Sequence, residues 1–395
     1  MTYKELIKKK EKEWDCPDLM DRVKKEREGK IPFSSPLMNW STYGGVPKCR
    51  ISEFFGEPGS GKSTTAIDVC KNAITQFEHE YITQMQDLQS KASNGDKAAK
   101  IAVQELEERG PQKVLYVDLE HAFDSEWAEV LGVDTDVIEI MQPPNICAED
   151  ILQTVEDVIS TGEIGLVVLD SIPSLVTRAE LEKKYGERTV ASLAGLMTVF
   201  CRKIVSVLTR YSCTLIFINQ TRDNLDNPYV DNTPGGKAVK FYSSMRMSFR
   251  LGAPIDILGN ELPQKTENPV GYIVNVRLVK QKTASFDRKN ATYYLMCQSG
   301  IRADYDFAQL AIKKYGIIQK GGAWFTICDP YTGEILMEKD PVNPEKEKPV
   351  KINGMSKVFE YLSENTEYYK RLQQFIIDDI NGKASVDEES EGTSY

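Results

Sequence analysis

The residues best placed to do chemistry in this chain are Gly56-Glu57-Pro58-Gly59-Ser60-Gly61-Lys62-Ser63-Thr64, which match the pattern G-x-x-x-x-G-K-[ST]. Glycines in such a loop let successive backbone N–H groups face an anion, and a following helix adds its positive N-terminal end. Lys62 would reach the β and γ phosphates of a nucleotide, and Ser63 would ligate Mg²⁺. The pattern has meaning only between a strand and a helix. Both are expected: the apolar run Ile51 to Phe55 leads in, and Ala66, Val69, Cys70, Ala73 and Ile74 follow at helical spacing. A glycine-rich turn that merely precedes a helix is the plainer alternative, and these flanking elements speak against it.

Three further apolar runs are spaced along the chain: Val114 to Val117, Leu166 to Leu169 and Thr214 to Ile218. Unbroken apolarity suits strands buried on both faces, so the expectation is a parallel sheet with crossover helices. Ligands of such sheets bind at the carboxyl ends of the strands. After the first run stands Asp118-Leu119-Glu120-His121, where Glu120 can polarise a water for attack on a γ phosphate. After the second stands Asp170-Ser171, an aspartate that can hold Mg²⁺ through water. After the third stand Asn219-Gln220-Thr221-Arg222, whose amide can sense that phosphate and signal to the polar loop Asp223 to Pro234, which ends in Gly235-Gly236. A surface carboxylate and a helix cap are the plainer readings of Glu120 and Asp170; the phosphate loop upstream favours catalysis and metal binding. A second polar loop runs from Arg178 to Ala191.

Composition narrows the class. The 395 residues suffice for one large α/β domain and a smaller companion. No apolar stretch reaches the roughly 18 residues of a membrane span, and Met1 to Glu5 carry no apolar leader, so a cytoplasmic protein is expected. Eight cysteines without a C-x-x-C pair and two histidines make a zinc site a poor fit and reduced thiols a good one. A net charge of −10 argues against a nucleic-acid binder unless the acid is concentrated in one tail. The chain does close with Asp387-Glu388-Glu389-Ser390-Glu391. Residues 1 to 30 read as a charged helix, either solvated or docking on another molecule. Residues 76 to 109 read as two solvent-facing helical pieces around Ser93-Asn94-Gly95-Asp96. Beyond Gly300, Phe307 to Tyr315 and Ser356 to Ile380 read as helical and Gly322 to Ile327 as a strand, while the Pro-, Glu- and Lys-rich stretch Lys339 to Lys351 reads as a mobile loop.

From about Ile31 to Asp379 the chain resembles the RecA family of homologous recombinases, in its bacterial form. The resemblance is carried by the phosphate loop, Asp118 to Asp124, Asp170-Ser171, Phe217-Ile218-Asn219-Gln220, Gly235-Gly236-Lys237-Ala238-Val239-Lys240-Phe241-Tyr242 and Val279-Lys280-Gln281-Lys282. It implies an α/β fold: a RecA-like P-loop ATPase core (36–299) with a central, mostly parallel sheet, an amino-terminal helical polymerisation arm (1–35), a small α+β carboxyl-terminal domain (300–382) and an acidic tail (383–395). It further implies that Glu120 is the catalytic carboxylate, Gln220 the nucleotide sensor, and Lys280 and Lys282 the cations that reach a neighbouring subunit's ATP. The adenine would stack on Trp127, with Asp124 facing its exocyclic amine. Arg202, Gly235, Gly236 and Lys237 would contact DNA, and Lys240, Phe241 and Arg246 would lie in the subunit interface.

The activity so implied is ATP- and Mg²⁺-dependent filament formation on single-stranded DNA, with homologous pairing and strand exchange. Expected partners are single-stranded DNA, a homologous duplex, further copies of the chain, and single-strand-binding and loader proteins. A ring-forming helicase motor and a non-enzymatic DNA-binding mediator stay open as alternatives. Some features depart from the family: residues 76 to 109 are longer, the loop Asp223 to Pro234 is short of basic residues, and Lys237 stands where asparagine is common. These departures suit a phage-encoded member.

Overall fold

The computed structural model describes residues 2–13, 29–184, 192–221, 233–340, 343 and 345–382. Most of the amino-terminal arm beyond residue 13, parts of both polar loops and the acidic tail lie outside the described residues. The chain divides into two compact units: one of residues 1–32, 45–250 and 276–289, the other of 33–44, 251–275 and 290–395. These spans cut across the 36–299 and 300–382 division read from the sequence.

In the first unit a short helix, α1 (Tyr3–Glu13), precedes the strand β1 (Ile51–Gly56), every residue of which is buried. The helix α2 (Lys62–Ser93) starts directly behind the phosphate loop. It ends where Gly95 adopts a left-handed φ of 92°, and Asp96 caps the next helix, α3 (Lys97–Arg109), by accepting from the N–H groups of Ala98 and Ala99. The two helical pieces expected around Ser93-Asp96 are therefore present, the first continuous with the phosphate-loop helix.

The sheet continues with β2 (Lys113–Asp118), β3 (Ile138–Met141), β4 (Ile164–Asp170), β5 (Thr214–Gln220), β6 (Met245–Ile255) and β7 (Gly271–Gln281), seven strands in the spatial order β7-β6-β1-β5-β4-β2-β3, with residues 251–255 of β6 and 271–275 of β7 belonging to the second unit. The pairs β1/β5, β1/β6, β4/β5, β2/β4 and β2/β3 are all parallel. Between these strands run α4 (Ser125–Val130), α5 (Ala148–Ser160), α6 (Ser192–Arg210) and α7 (Gly236–Tyr242). The apolar stripes Ile151, Leu152, Val155, Ile159 of α5 and Met197, Phe200, Ile204, Leu208 of α6 pack on Leu115, Val167, Leu215 and Phe217 of the sheet. The parallel register brings Gly56 level with Gln220, and Asp118 level with Asp170. All the strand-end residues singled out above thus lie along one edge of the sheet.

The second unit has its own core, in which Phe307 and Leu310 of α8 (Ala303–Lys313) meet Ile318, Phe325, Ile327, Leu362, Leu372 and Ile376. The segment Ser356 to Ile380 is two helices, α9 (Met355–Glu364) and α10 (Thr366–Ile380), rather than one. They part at Asn365, whose backbone leaves helical geometry at φ −100° and ψ 64° while its side-chain amide donates to the Tyr361 carbonyl. The expected mobile loop Lys339 to Lys351 contains paired strands instead: Met337–Lys339 aligns with Glu347–Pro349, and Lys351–Asn353 joins Trp324–Thr326. Opposite charges make this pairing favourable where composition suggested only solvation, since Lys348 lies 3.5 Å from Glu338 across the ladder.

Candidate functional site

The phosphate loop is closed on itself. Gly59 and Gly61 hold φ values of 71° and 91°, which residues with a Cβ rarely adopt. Their turn brings the Lys62 ammonium and the Ser60 hydroxyl onto one carbonyl, that of Glu57, each at 2.7 Å. Lys62 is 7% exposed. Burial pushes its pKa below the usual lysine range, against the opposing pull of Asp170, Glu120 and Glu57. An anionic ligand entering here would take over the donors that now rest on the Glu57 carbonyl.

Ser63 stands one residue further along α2 and donates from its hydroxyl to Asp170 Oδ2 at 2.8 Å. The same oxygen accepts from the Tyr116 hydroxyl at 2.6 Å. Burial raises the Asp170 pKa, the Tyr116 and Ser63 hydroxyls counter it, and the charges of Glu120 and Asp118 add to the rise. Ser63 and Asp170 together offer the hard oxygen donors that Mg²⁺ takes, and a divalent cation would relieve the carboxylate crowding. Among the described residues no cluster of three or more His, Cys, Asp or Glu could hold a metal alone. Mg²⁺ would complete its shell here with waters and phosphate oxygens, as it usually does.

Glu120 sits where β2 gives way to a loop fixed by Asp118, whose carboxylate accepts from the N–H groups of Glu120 and Phe123 and from the Gln142 amide. Burial would raise the Asp118 pKa, but these donors, led by Gln142, hold it below the usual carboxylate range. Glu120 Oε1 accepts from the Ser171 hydroxyl and, at 3.1 Å, from Gln220 Nε2. The carboxylate read as the water activator and the amide read as the sensor are therefore in contact.

Trp127 lies beside the loop, its Nε1 donating to Thr64 Oγ1 at 3.3 Å. Asp124 is the N-cap of α4: its Oδ1 accepts from the Trp127 N–H at 2.9 Å. If Trp127 stacks on a base, Trp127→Ala should weaken nucleotide binding by about 1–3 kcal/mol while leaving the melting temperature little changed. Equilibrium binding of a fluorescent adenine nucleotide measures this.

Lys280 and Lys282, on and just beyond β7, turn their ammonium groups onto the C-terminal end of α7. Lys280 Nζ donates to the carbonyls of Lys240 and Phe241 at 2.6 and 2.7 Å, and Lys282 Nζ to that of Phe241 at 3.3 Å. Phe241 itself is 69% exposed. Burial, then the charges of Lys282 and Arg246, lower the Lys280 pKa to about 8. Arg246 is 7% exposed and its Nε donates to Glu53 Oε2 at 2.5 Å, with its guanidinium 4.6 Å over the Phe55 ring.

Gly235 and Gly236 open α7 with φ values of 86° and 76°. A Cβ on Gly236 would come within 2.9 Å of the Ala194 Cβ at the start of α6. Lys237 and Arg202 are exposed, but Arg202 lies about 12 Å further along α6 from Ala194 by helical rise, so the structure does not gather it to the glycine turn. Arg222 and residues 223–232 lie outside the described residues.

Sequence reading missed four residues of this constellation. Tyr116 reads in sequence only as an apolar strand residue, Asp118 and Ser171 carry no role of their own there, and Glu53 lies inside an apolar run although it is a fully buried carboxylate.

A model of the RecA N-terminal domain matches residues 85–302, beginning inside α2. Among curated proteins, Protein RecA of Clostridium acetobutylicum is 33% identical over 295 residues, covering 74% of this chain and 71% of its own. Protein RecA of Chlorobaculum tepidum is 34% identical, covering 72% and 69%, and that of Ruminococcus albus is 29% identical, covering 92% and 81%.

Proposed function

Because this chain belongs to the RecA family, we propose that it is a DNA-dependent ATPase that forms filaments on single-stranded DNA and catalyses homologous pairing and strand exchange. The observation that carries the reading is the 3.1 Å contact between Gln220 and Glu120, which joins the carboxylate at the phosphate loop to the connection leading toward Gly235. Its substrate is ATP with Mg²⁺, its partners are single-stranded DNA, a homologous duplex and further copies of itself, and single-strand-binding and loader proteins assist it. It acts in the cytoplasm of a bacterial cell, whether the gene is the bacterium's or a phage's.

In this reading Lys62 and the loop amides hold the phosphates, Ser63 and Asp170 hold Mg²⁺, and Trp127 and Asp124 flank the base. Glu120 orients and deprotonates a water, and Gln220 releases Glu120 when it engages the terminal phosphate. Lys280 and Lys282 leave their own α7 carbonyls for the phosphates of the adjacent subunit, with Lys240 and Phe241 shaping that interface, while Arg246, expected there too, is buried against Glu53 and can support it only from within its own subunit. Gly235, Gly236 and Lys237 meet the DNA backbone at the glycine turn and Arg202 meets it separately, further along α6, contacts weakened by salt and indifferent to base sequence.

The low pKa of Lys280 has a directional consequence. In the resting placement on the α7 carbonyls its ammonium is charged below about 8 and neutral above it. The fraction of subunits able to offer a cation to a neighbour's ATP without first taking up a proton therefore falls as pH rises through that value, while contact with phosphate pulls the group back toward its charged form. DNA-dependent ATPase activity should fall on the alkaline side, and Lys280→Arg, which stays charged, should flatten the fall. Steady-state rates across pH 6.5 to 9.5, on the order of three units around that value, check this.

Electron microscopy with ATP and single-stranded DNA tests the reading as a whole. Helical filaments are expected; closed rings that unwind duplex DNA would replace it with a helicase motor.

A further inference from the structure

Glu53 has no exposed surface, yet it sits in the middle of β1, the strand between β5 and β6. A buried carboxylate without partners would cost several kcal/mol, and this one has two. Oε1 accepts from Asn219 Nδ2 at 2.9 Å and Oε2 from Arg246 Nε at 2.5 Å. The register explains the meeting: Glu53 is level with Phe217 on one side and with Arg246 on the other, and Asn219 is two residues on from Phe217 along the same strand face. Arg246 Nη2 finds no hydrogen-bond partner in the described chain, so its charge depends heavily on Glu53.

Asn219 does more than answer Glu53. Its Nδ2 also donates to the Pro234 carbonyl at 3.0 Å, and its Oδ1 accepts from the Gln220 N–H at 3.0 Å. The two ends of the connection between β5 and α7 are thereby tied together at one amide, and that amide is held by Glu53. On the other side, the charges of both Arg246 and Glu53 act on Lys280.

We propose that Glu53 is a positioning residue which, through Asn219 held against it and with Arg246 as its counter-charge, transmits occupancy of the nucleotide site at Gln220 to the Pro234-Gly235-Gly236 start of α7. This deepens the recombinase reading and rests on it for the identity of the two ends, nucleotide and DNA. Movement of Gln220 toward a ligand pulls on its own N–H bond to Asn219. With Glu53 fixing the far side of Asn219, that pull passes to Pro234. Glu53→Gln places an amide donor against either Asn219 Nδ2 or Arg246 Nε, so one of the two links must break.

The test uses full-length protein and hydrogen exchange of a peptide covering residues 234–242, with and without a non-hydrolysable ATP analogue. Wild type should show nucleotide-dependent protection there. Glu53→Gln should bind the analogue as wild type does but lose that protection, and its stimulation by single-stranded DNA should drop about tenfold, the size of a typical coupling. Asn219→Ala, which leaves the Glu53–Arg246 pair intact, should show the same loss, and it decides the matter should Glu53→Gln fail to fold. Full protection in a folded Glu53→Gln or in Asn219→Ala, or no protection in wild type, overturns the proposal. Absence of DNA stimulation in wild type with the exchange pattern as expected would instead count against the recombinase reading alone.

Discussion

Glu120→Gln should bind ATP as tightly as wild type and hydrolyse it about 10²–10⁴ times more slowly, the range expected when a positioned general base is removed. The substitution is close to isosteric. The introduced amide keeps an acceptor oxygen for the Ser171 hydroxyl and for Gln220, the two donors that now hold the carboxylate. What it loses is the capacity to take a proton from water. Lys62, Ser63 and Asp170 are untouched, so binding should survive and single-turnover hydrolysis should show the whole defect. Unchanged turnover would transfer the role of base elsewhere and leave Glu120 as a surface carboxylate at a strand end. A scaffold that only binds nucleotide predicts no turnover in either protein.

The double variant Lys280→Ala/Lys282→Ala should lose about 10³ in DNA-dependent turnover, the lower end of what a trans-acting cation contributes to phosphoryl transfer. Each ammonium now rests on carbonyls at the end of α7, a placement from which it can leave without uncovering buried charge. If the lysines act on the neighbour, then mixing this double variant with Glu120→Gln should restore activity that neither possesses alone. The first supplies a competent Glu120 and the second a competent lysine pair, so an interface between them is complete. Lysines acting within their own subunit would give no recovery at any mixing ratio. The rate of the mixture against the sum of the separate rates is the measurement.

The parts of this site that could be read from sequence are those whose signal is local. Strand, glycine loop and helix follow one another around Lys62, and unbroken apolar runs mark where Glu120, Asp170 and Gln220 emerge, because strands buried on both faces admit little else. Glu53 escaped because its justification is remote: its partners are 166 and 193 residues away. Within Ile51-Ser52-Glu53-Phe54-Phe55 nothing local says whether the carboxylate is buried with partners or marks an exposed face. Tyr116 escaped for the opposite reason, its ring satisfying the apolar pattern while its hydroxyl serves Asp170. In the second unit, the charges of residues 339–351 suggested solvation, whereas Glu347–Pro349 pairs with Met337–Lys339 and Lys351–Asn353 with Trp324–Thr326, long-range pairings that no local pattern announces. Asn365 likewise leaves helical geometry, at φ −100° and ψ 64°, inside a stretch whose apolar periodicity does not register the break.

The central claim is that one ATP site, completed between subunits, drives exchange of DNA strands chosen by homology. A strand-exchange assay with ATP, Mg²⁺ and circular single-stranded DNA, offered either a homologous or a heterologous linear duplex, tests it most directly. The expected result is joint molecules and exchanged product with the homologous duplex alone, abolished by Lys62→Ala. DNA-stimulated ATP hydrolysis with no product from either duplex, or duplex unwinding that ignores homology, would contradict the account.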